Sequence, residues 1–375
     1  MDERVLRNIV LVSAAIAFLA LMFAIAFYLN VLPLTSPDEN SALTDCKVIT
    51  YKGENALNVL LFADEKTAER YADNFLNIEP FKSFSDKVNF YYIDSPVQCE
   101  LYKGIAVFCY SRELLRKAGS CPHDVVITFA NYARNIRSSS YNGVVSLNLN
   151  HPVSVLWHEL GHALGGLAEE YVPASLPWGA KNCVGQCSEF KSPTDGCFQG
   201  CSRKDYYRSI DEGIMRTLDS NTFGKFDEQL LKDKLERKIA KGKSRFIGFL
   251  VRKLSGCERS YYYLLELARD KNGKLSVVSK SLERGCAGSN GEGRGVVQVL
   301  DKQRHAILEK EFDATLFTDG ISENTNELTG ESFEPDRFYV SIPVTRGEES
   351  VRIETNGQAQ EFKLDEVGGR ACKIV

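Results

Sequence analysis

Trp157 to Tyr171 reads WHELGHALGGLAEEY, and it opens on His158-Glu159-Leu160-Gly161-His162. On an α-helix the spacing of the two histidines puts both imidazoles on one face, a turn apart. There their nitrogens can converge on one zinc ion at about 2.0–2.1 Å. Glu159 projects beside them, placed to take a proton from a water and deliver it to a leaving amine. Five histidines and thirty glutamates in 375 residues give a chance expectation of roughly 0.005 for this pattern. The competing reading, two histidines on a helix as surface or satisfied core groups, leaves the residues that follow unexplained.

Catalytic zinc usually takes three protein donors, so a third is expected nearby. Gly165 and Gly166 can end the helix in a left-handed conformation and turn the chain back toward the metal. Glu169, three residues after Gly166, is then the candidate ligand, and Glu170 is the alternative. Either carboxylate also reads as a solvated acidic end or as a group that orients the histidines.

GHALGGLAEEY resembles the motif HExGHxxGGLADEY of the immunoglobulin-A peptidase family of zinc metallopeptidases, with Glu169 standing where that family has aspartate. The resemblance continues in GCFQGCSRKDYYRSIDEGIMR (196–216), which is similar to the family's approach to a Tyr-Arg pair and an Ile-Met-Arg segment. It implies that Ile214-Met215-Arg216 forms a Met-turn, with Met215 as an apolar floor beneath the metal. Tyr207, eight residues before Met215, is the candidate to stabilise a tetrahedral oxyanion. Coverage runs over about residues 57–240. Together with the apolar strands and amphipathic helices upstream, it implies an α/β zincin-like (metzincin-type) catalytic domain.

Those upstream elements are NVLLF (58–62), a helix from Glu65 to Leu76 with Ala68, Tyr71, Ala72 and Phe75 on one face, VNFYYI (88–93) and the strand at Val125. Val144–Leu149 reads as an edge strand that could bind extended substrate by strand addition. Lys225–Lys241 has the spacing of a solvated amphipathic helix. Beyond Gly256 short strands take over, with Asn272-Gly273 and Asn356-Gly357 as hairpin dipeptides, and a C-terminal all-β sandwich is expected.

The uncharged run Ile9–Leu29 is long enough to cross a bilayer, and Arg4 and Arg7 before it place the N-terminus in the cytoplasm. A cleaved signal peptide is the rival, but the run exceeds the usual apolar length. The expected organisation is a cytoplasmic tip and transmembrane anchor (1–34), a stalk (35–56), a metallopeptidase domain (57–255) and an accessory sandwich (256–375), in a single-pass membrane protein. All eleven cysteines follow the apolar run, so disulfides are expected and the odd count leaves one unpaired. Within the densest cluster a concentric pairing, Cys183 with Cys201 and Cys187 with Cys197, is one arrangement, and a structural zinc site is its rival.

A net charge of -4 lacks the basic footprint of a nucleic-acid binder, and no nucleic-acid partner is expected. The expected function is zinc-dependent hydrolysis of peptide bonds in a protein or peptide substrate, with one catalytic zinc. The alternative is a non-catalytic cell-surface binding protein on a peptidase-like fold. An intramembrane protease is disfavoured, because the motif lies far beyond the only apolar span.

Overall fold

Apolar runs bounded by turn residues become strands where both of their faces find a partner layer. The structure is a computed structural model that describes residues 43–364, apart from 178, 242–255, 272, 289, 292, 294, 322–327, 346, 356 and 357. Its strands, in chain order, are β1 (Lys47–Thr50), β2 (Leu57–Phe62), β3 (Val88–Ile93), β4 (Glu100–Tyr102), β5 (Ala106–Phe108), β6 (Val125–Ala130), β7 (Ser138–Tyr141), β8 (Val144–Asn148), β9 (Phe198–Cys201) and β10 (Arg203–Arg208). The C-terminal part adds β11 (Tyr261–Arg269), β12 (Leu275–Arg284), β13 (Gly295–Leu300), β14 (Ala306–Phe312), β15 (Leu316–Ile321), β16 (Leu328–Phe333), β17 (Arg337–Pro343), β18 (Ser350–Thr355) and β19 (Gln358–Lys363). The α-helices are α1 (Glu65–Phe75), α2 (Arg112–Ala118), α3 (Ser154–Gly165) and α4 (Lys225–Lys241).

One eight-stranded sheet, in the order β1-β3-β2-β6-β8-β7-β15-β16, organises the rest. Its central strands β3, β2, β6 and β8 run parallel, and β7 and β15 continue it antiparallel. Side chains alternate between its faces. Val59, Leu61, Phe90, Ile127, Val145 and Leu147 join a core with α1, α3 and α4, while Leu60, Tyr91, Val126, Val144 and Leu316 join a second core with β11, β13, β17 and β18.

The local reasons are conventional chemistry. The side chain of Asp64 caps α1 by accepting from the Thr67 amide, and the helix buries Ala68, Tyr71, Ala72 and Phe75, the face expected from their spacing. By contrast α3 is buried on nearly every side, because it lies under α4 and over β7, β8 and β15.

Several expectations are corrected. The α/β zincin-like class with an N-terminal transmembrane helix does not describe the molecule, which is mostly β: nineteen strands in several sheets accompany four α-helices among the described residues. The reason is that the C-terminal strands do not all stay apart. β15 and β16 hydrogen-bond into the sheet beneath the motif helix, while β12-β11-β17 and β14-β13-β18-β19 form two further sheets. Val144–Leu149 is not an edge, since β8 lies between β6 and β7. Lys47–Thr50, in the stretch expected to be a stalk, pairs with β3 as the first strand of the sheet.

The single-pass membrane location is corrected as well. Among the described residues no helix is long and apolar enough to cross a membrane, and the expected span, 9–29, lies outside them. Five disulfides point to an oxidising, extracellular or secreted setting: Cys46–Cys121, Cys99–Cys109, Cys183–Cys201, Cys187–Cys197 and Cys257–Cys286. The concentric pairing in the dense cluster is therefore present, and the eleventh cysteine, Cys372, lies outside the described residues, as do Asn272 and Asn356-Gly357.

At the end of α3, Gly166 takes φ 59° and ψ 31°, and the amides of Gly166 and Leu167 return to the carbonyls of His162 and Gly161. This is the Schellman type of ending, and it turns the chain toward Glu169 as the two glycines suggest. A side chain in that left-handed conformation costs about 1–2 kcal/mol. Gly166→Ala should lower stability by about that amount in urea denaturation, and an unchanged midpoint would contradict the role given to this turn.

Candidate metal centre

His158 and His162 sit one turn apart on α3, and each has its Nδ1 fixed by a backbone carbonyl. His158 Nδ1 donates to the Ile214 carbonyl at 2.9 Å, and His162 Nδ1 donates to the Leu167 carbonyl at 2.7 Å. With Nδ1 as the donor, a neutral ring presents its Nε2 lone pair. The two Nε2 atoms point at each other across 3.2 Å.

Two carboxylates complete the group. Glu169 places one oxygen 3.3 Å from His158 Nε2 and the other 3.0 Å from His162 Nε2. Asp319, on β15, places Oδ2 3.6 Å from both. Its Oδ1 accepts from the Tyr171 hydroxyl at 2.8 Å. One donor atom from each of the four residues lies within 4.8 Å of every other.

The loop that carries Glu169 is gripped residue by residue. Asn182 pairs with both the amide and the carbonyl of Ala168, at 2.8 and 2.9 Å. Ser202 donates to the Glu169 carbonyl at 2.7 Å, and the Glu170 amide donates to the Met215 carbonyl at 2.9 Å. Asn182 and Ser202 flank the Cys183–Cys201 bridge, so the disulfide holds together the two side chains that fix Glu169.

Among the sequence candidates, then, the structure brings His158, His162 and Glu169 together. Glu170 goes elsewhere and lies beside Asp227, both of them buried. Met215 is fully buried, with its Sδ in the space where a Cβ on Gly161 would stand, directly against the turn between the histidines. Glu159 is fully buried, and neither of its oxygens has a hydrogen-bond partner. Tyr207 exchanges two backbone hydrogen bonds with Val184, and among the described residues no hydrogen bond joins it to the four donors. The phenol that does reach them is Tyr171.

Sequence reasoning missed Asp319, which lies beyond the stretch covered by the family resemblance. Its signal is an acidic residue set between Leu316-Phe317 and Ile321 in LFTDGI, where a buried charge needs a partner.

Electrostatics follow from burial. Desolvation disfavours the charged form of both histidines, yet Glu169 and Asp319 outweigh it, raising His162 to about 10 and His158 well above its ordinary value. Asp319 shows the reverse balance: burial pushes its pKa up, and the two histidines hold it well below the usual carboxylate range. Burial, and then the charge of Asp319, push Glu159 well above that range.

A divalent cation fits this donor set on three counts. The histidine–histidine and histidine–carboxylate separations of 3.0–3.6 Å bracket roughly 3.3 Å, the distance between neighbouring ligands held about 2.0–2.1 Å from one ion. Glu169 Oε2 and Asp319 Oδ2 are buried without a hydrogen bond, as lone pairs aimed at a cation would be. Two carboxylates also balance a charge of two, and imidazole with carboxylate is a donor set that several divalent transition metals accept. No family model and no curated protein sequence matches the chain, so the residues themselves carry the reading.

Glu170 and Asp227 supply a test of how this region is built. Burial raises the pKa of both, and the charge of Asp227 raises Glu170 further. From about pH 4 up to such a raised value, the folded state binds more protons than the unfolded one, so stability falls as pH rises. Asp227→Asn keeps the shape but removes one titration. Urea denaturation at about pH 5 and about pH 8 should give a shallower fall in the variant, and equal slopes would refute the account.

Proposed function

We propose that the chain is a zinc-dependent metallopeptidase in which His158, His162 and Glu169 hold the metal and Glu159 acts as general base. The observation that carries this reading is the convergence of both histidine Nε2 atoms and Glu169 on one point, with the unpartnered carboxyl of Glu159 on the same helix. The likeness of the motif to that of the immunoglobulin-A peptidase family supports it. An antibody substrate does not follow from that likeness, and the substrate class is protein or peptide.

A bound zinc ion would supply Lewis-acid polarisation of the scissile carbonyl and acidify a water. The chain's own residues do the rest. The Ile214 and Leu167 carbonyls orient the imidazoles and favour the tautomer that can ligate. Glu159 would accept a proton from water and return it to the leaving nitrogen, as a carboxylate beside the metal can. Met215 fills the space against Gly161 and keeps the helix at a fixed height.

The rival reading, a non-catalytic binding protein with a closed metal site, is favoured by one observation: His158, Glu159, His162, Glu169 and Asp319 are each no more than 4% exposed. The two readings diverge in Glu159→Gln. For a peptidase, the purified, oxidised full chain should keep its zinc but lose about 10²–10⁴-fold in hydrolysis of a diverse peptide library, because an amide takes no proton. His158→Ala and Glu169→Ala should each weaken zinc binding far more than Glu170→Ala, as metal analysis after dialysis would report. Full zinc occupancy in a His158→Ala, His162→Ala double variant would sink the assignment.

A further inference from the structure

The fourth donor comes from a strand that no part of the peptidase reading requires. Three protein ligands leave a tetrahedral zinc one open position, and four close it. Asp319 sits at equal distance, 3.6 Å, from both histidines. Phe317, two residues earlier and so on the same face of β15, stacks on the His162 ring with centroids 4.0 Å apart and planes 7° apart. One face of β15 thus covers the group that the proposed chemistry needs exposed.

The backbone of β15 is placed just as tellingly. It pairs antiparallel with β7, with Leu316 opposite Tyr141, Phe317 opposite Ser140, Thr318 opposite Ser139 and Asp319 opposite Ser138. Without β15 and β16, β7 would be the edge of the sheet, and an extended peptide added there would run directly past the histidines. On the far side β16 is shaped to keep Asp319 where it is. A Cβ on Gly330 would collide with Asp319 Oδ1 and with the Tyr171 hydroxyl that donates to it.

We propose that β15 is a resident inhibitory strand, occupying the lane along β7 that an extended peptide substrate would take and presenting Asp319 to the metal position that hydrolysis needs open. This rests on the zinc peptidase reading and adds to it both the substrate's path and a latent state. Activity then requires Asp319 to leave the metal, which makes it an inhibitory ligand and leaves His158, His162 and Glu169 sufficient to hold zinc.

The test uses the full chain and acetohydroxamate, a small chelating probe that needs a free position on the metal. Wild type should hold one zinc and bind the probe weakly in calorimetry. Asp319→Asn should keep the zinc and bind the probe about 10-fold more tightly or better. Tyr171→Phe, which retains all four donors but frees Asp319 Oδ1, should shift affinity in the same direction by less than the 10–100-fold typical of groups behind a ligand. The proposal is overturned if Asp319→Asn loses its zinc, since Asp319 would then be an obligatory ligand, or if wild type and both variants bind the probe equally. Wild type without zinc would instead overturn the metallopeptidase reading, and the inhibitory strand with it.

Discussion

Two imidazole nitrogens 3.2 Å apart face two carboxylates inside a core that excludes water, and the surrounding structure is arranged around that juxtaposition. Unit charges about 4 Å apart interact by about 1 kcal/mol in water and about 4 kcal/mol at an effective dielectric near 20. A group of this kind is therefore tolerable only when positive and negative members are held in fixed relation. Neither helix propensity nor hydrophobic burial alone would fix it. The chain uses backbone carbonyls for the rings, an amide side chain and a hydroxyl for the loop, and a phenol for Asp319.

Glu169 and Glu170 show how closely this holding is specified. They are adjacent and chemically identical, yet one meets two histidines and the other meets Asp227. Their separation follows from the hydrogen bonds on either side: Ser202 holds the carbonyl of Glu169, and Met215 accepts from the amide of Glu170. With that peptide plane fixed, successive side chains depart in different directions. The Cys183–Cys201 bridge, packed on Ala168, keeps Asn182 and Ser202 in register with the loop. The disulfide thus helps to hold the two side chains that fix the loop carrying Glu169.

Local signals in the sequence were legible where the physics is local. The spacing of His158 and His162, the left-handed Gly166, the buried face of α1 and the strands expected at 58–62 and 88–93 all depend on neighbours a few residues away. The concentric disulfides were one arrangement open to the dense cysteine cluster, and the structure rather than the spacing selects them. What could not be read is sheet order. LFTDGI is a strand in the structure, but nothing within those residues says that its neighbour is β7, some 180 residues earlier. The expectation of a separate C-terminal sandwich followed from composition, which does not distinguish strands that pair among themselves from strands that cross into another sheet. The same blindness hid Asp319, whose importance lies entirely in what it meets.

That long-range meeting has a thermodynamic consequence. Donors on α3, on the loop that follows it and on β15 come together only when β15 is docked against β7. A cation that binds all four favours the assembled sheet over any state in which β15 is free, because binding free energy at a site absent from the unfolded chain adds to folding free energy. A strand held by its metal in this way resists displacement more strongly when the metal is present than when it is absent. Conversely, anything that draws Asp319 away must compete with both the ladder to β7 and the charge at the centre. The feature that seals the site and the feature that stabilises the fold are then the same contact, which ties the accessibility of Glu159 to the integrity of one strand pairing.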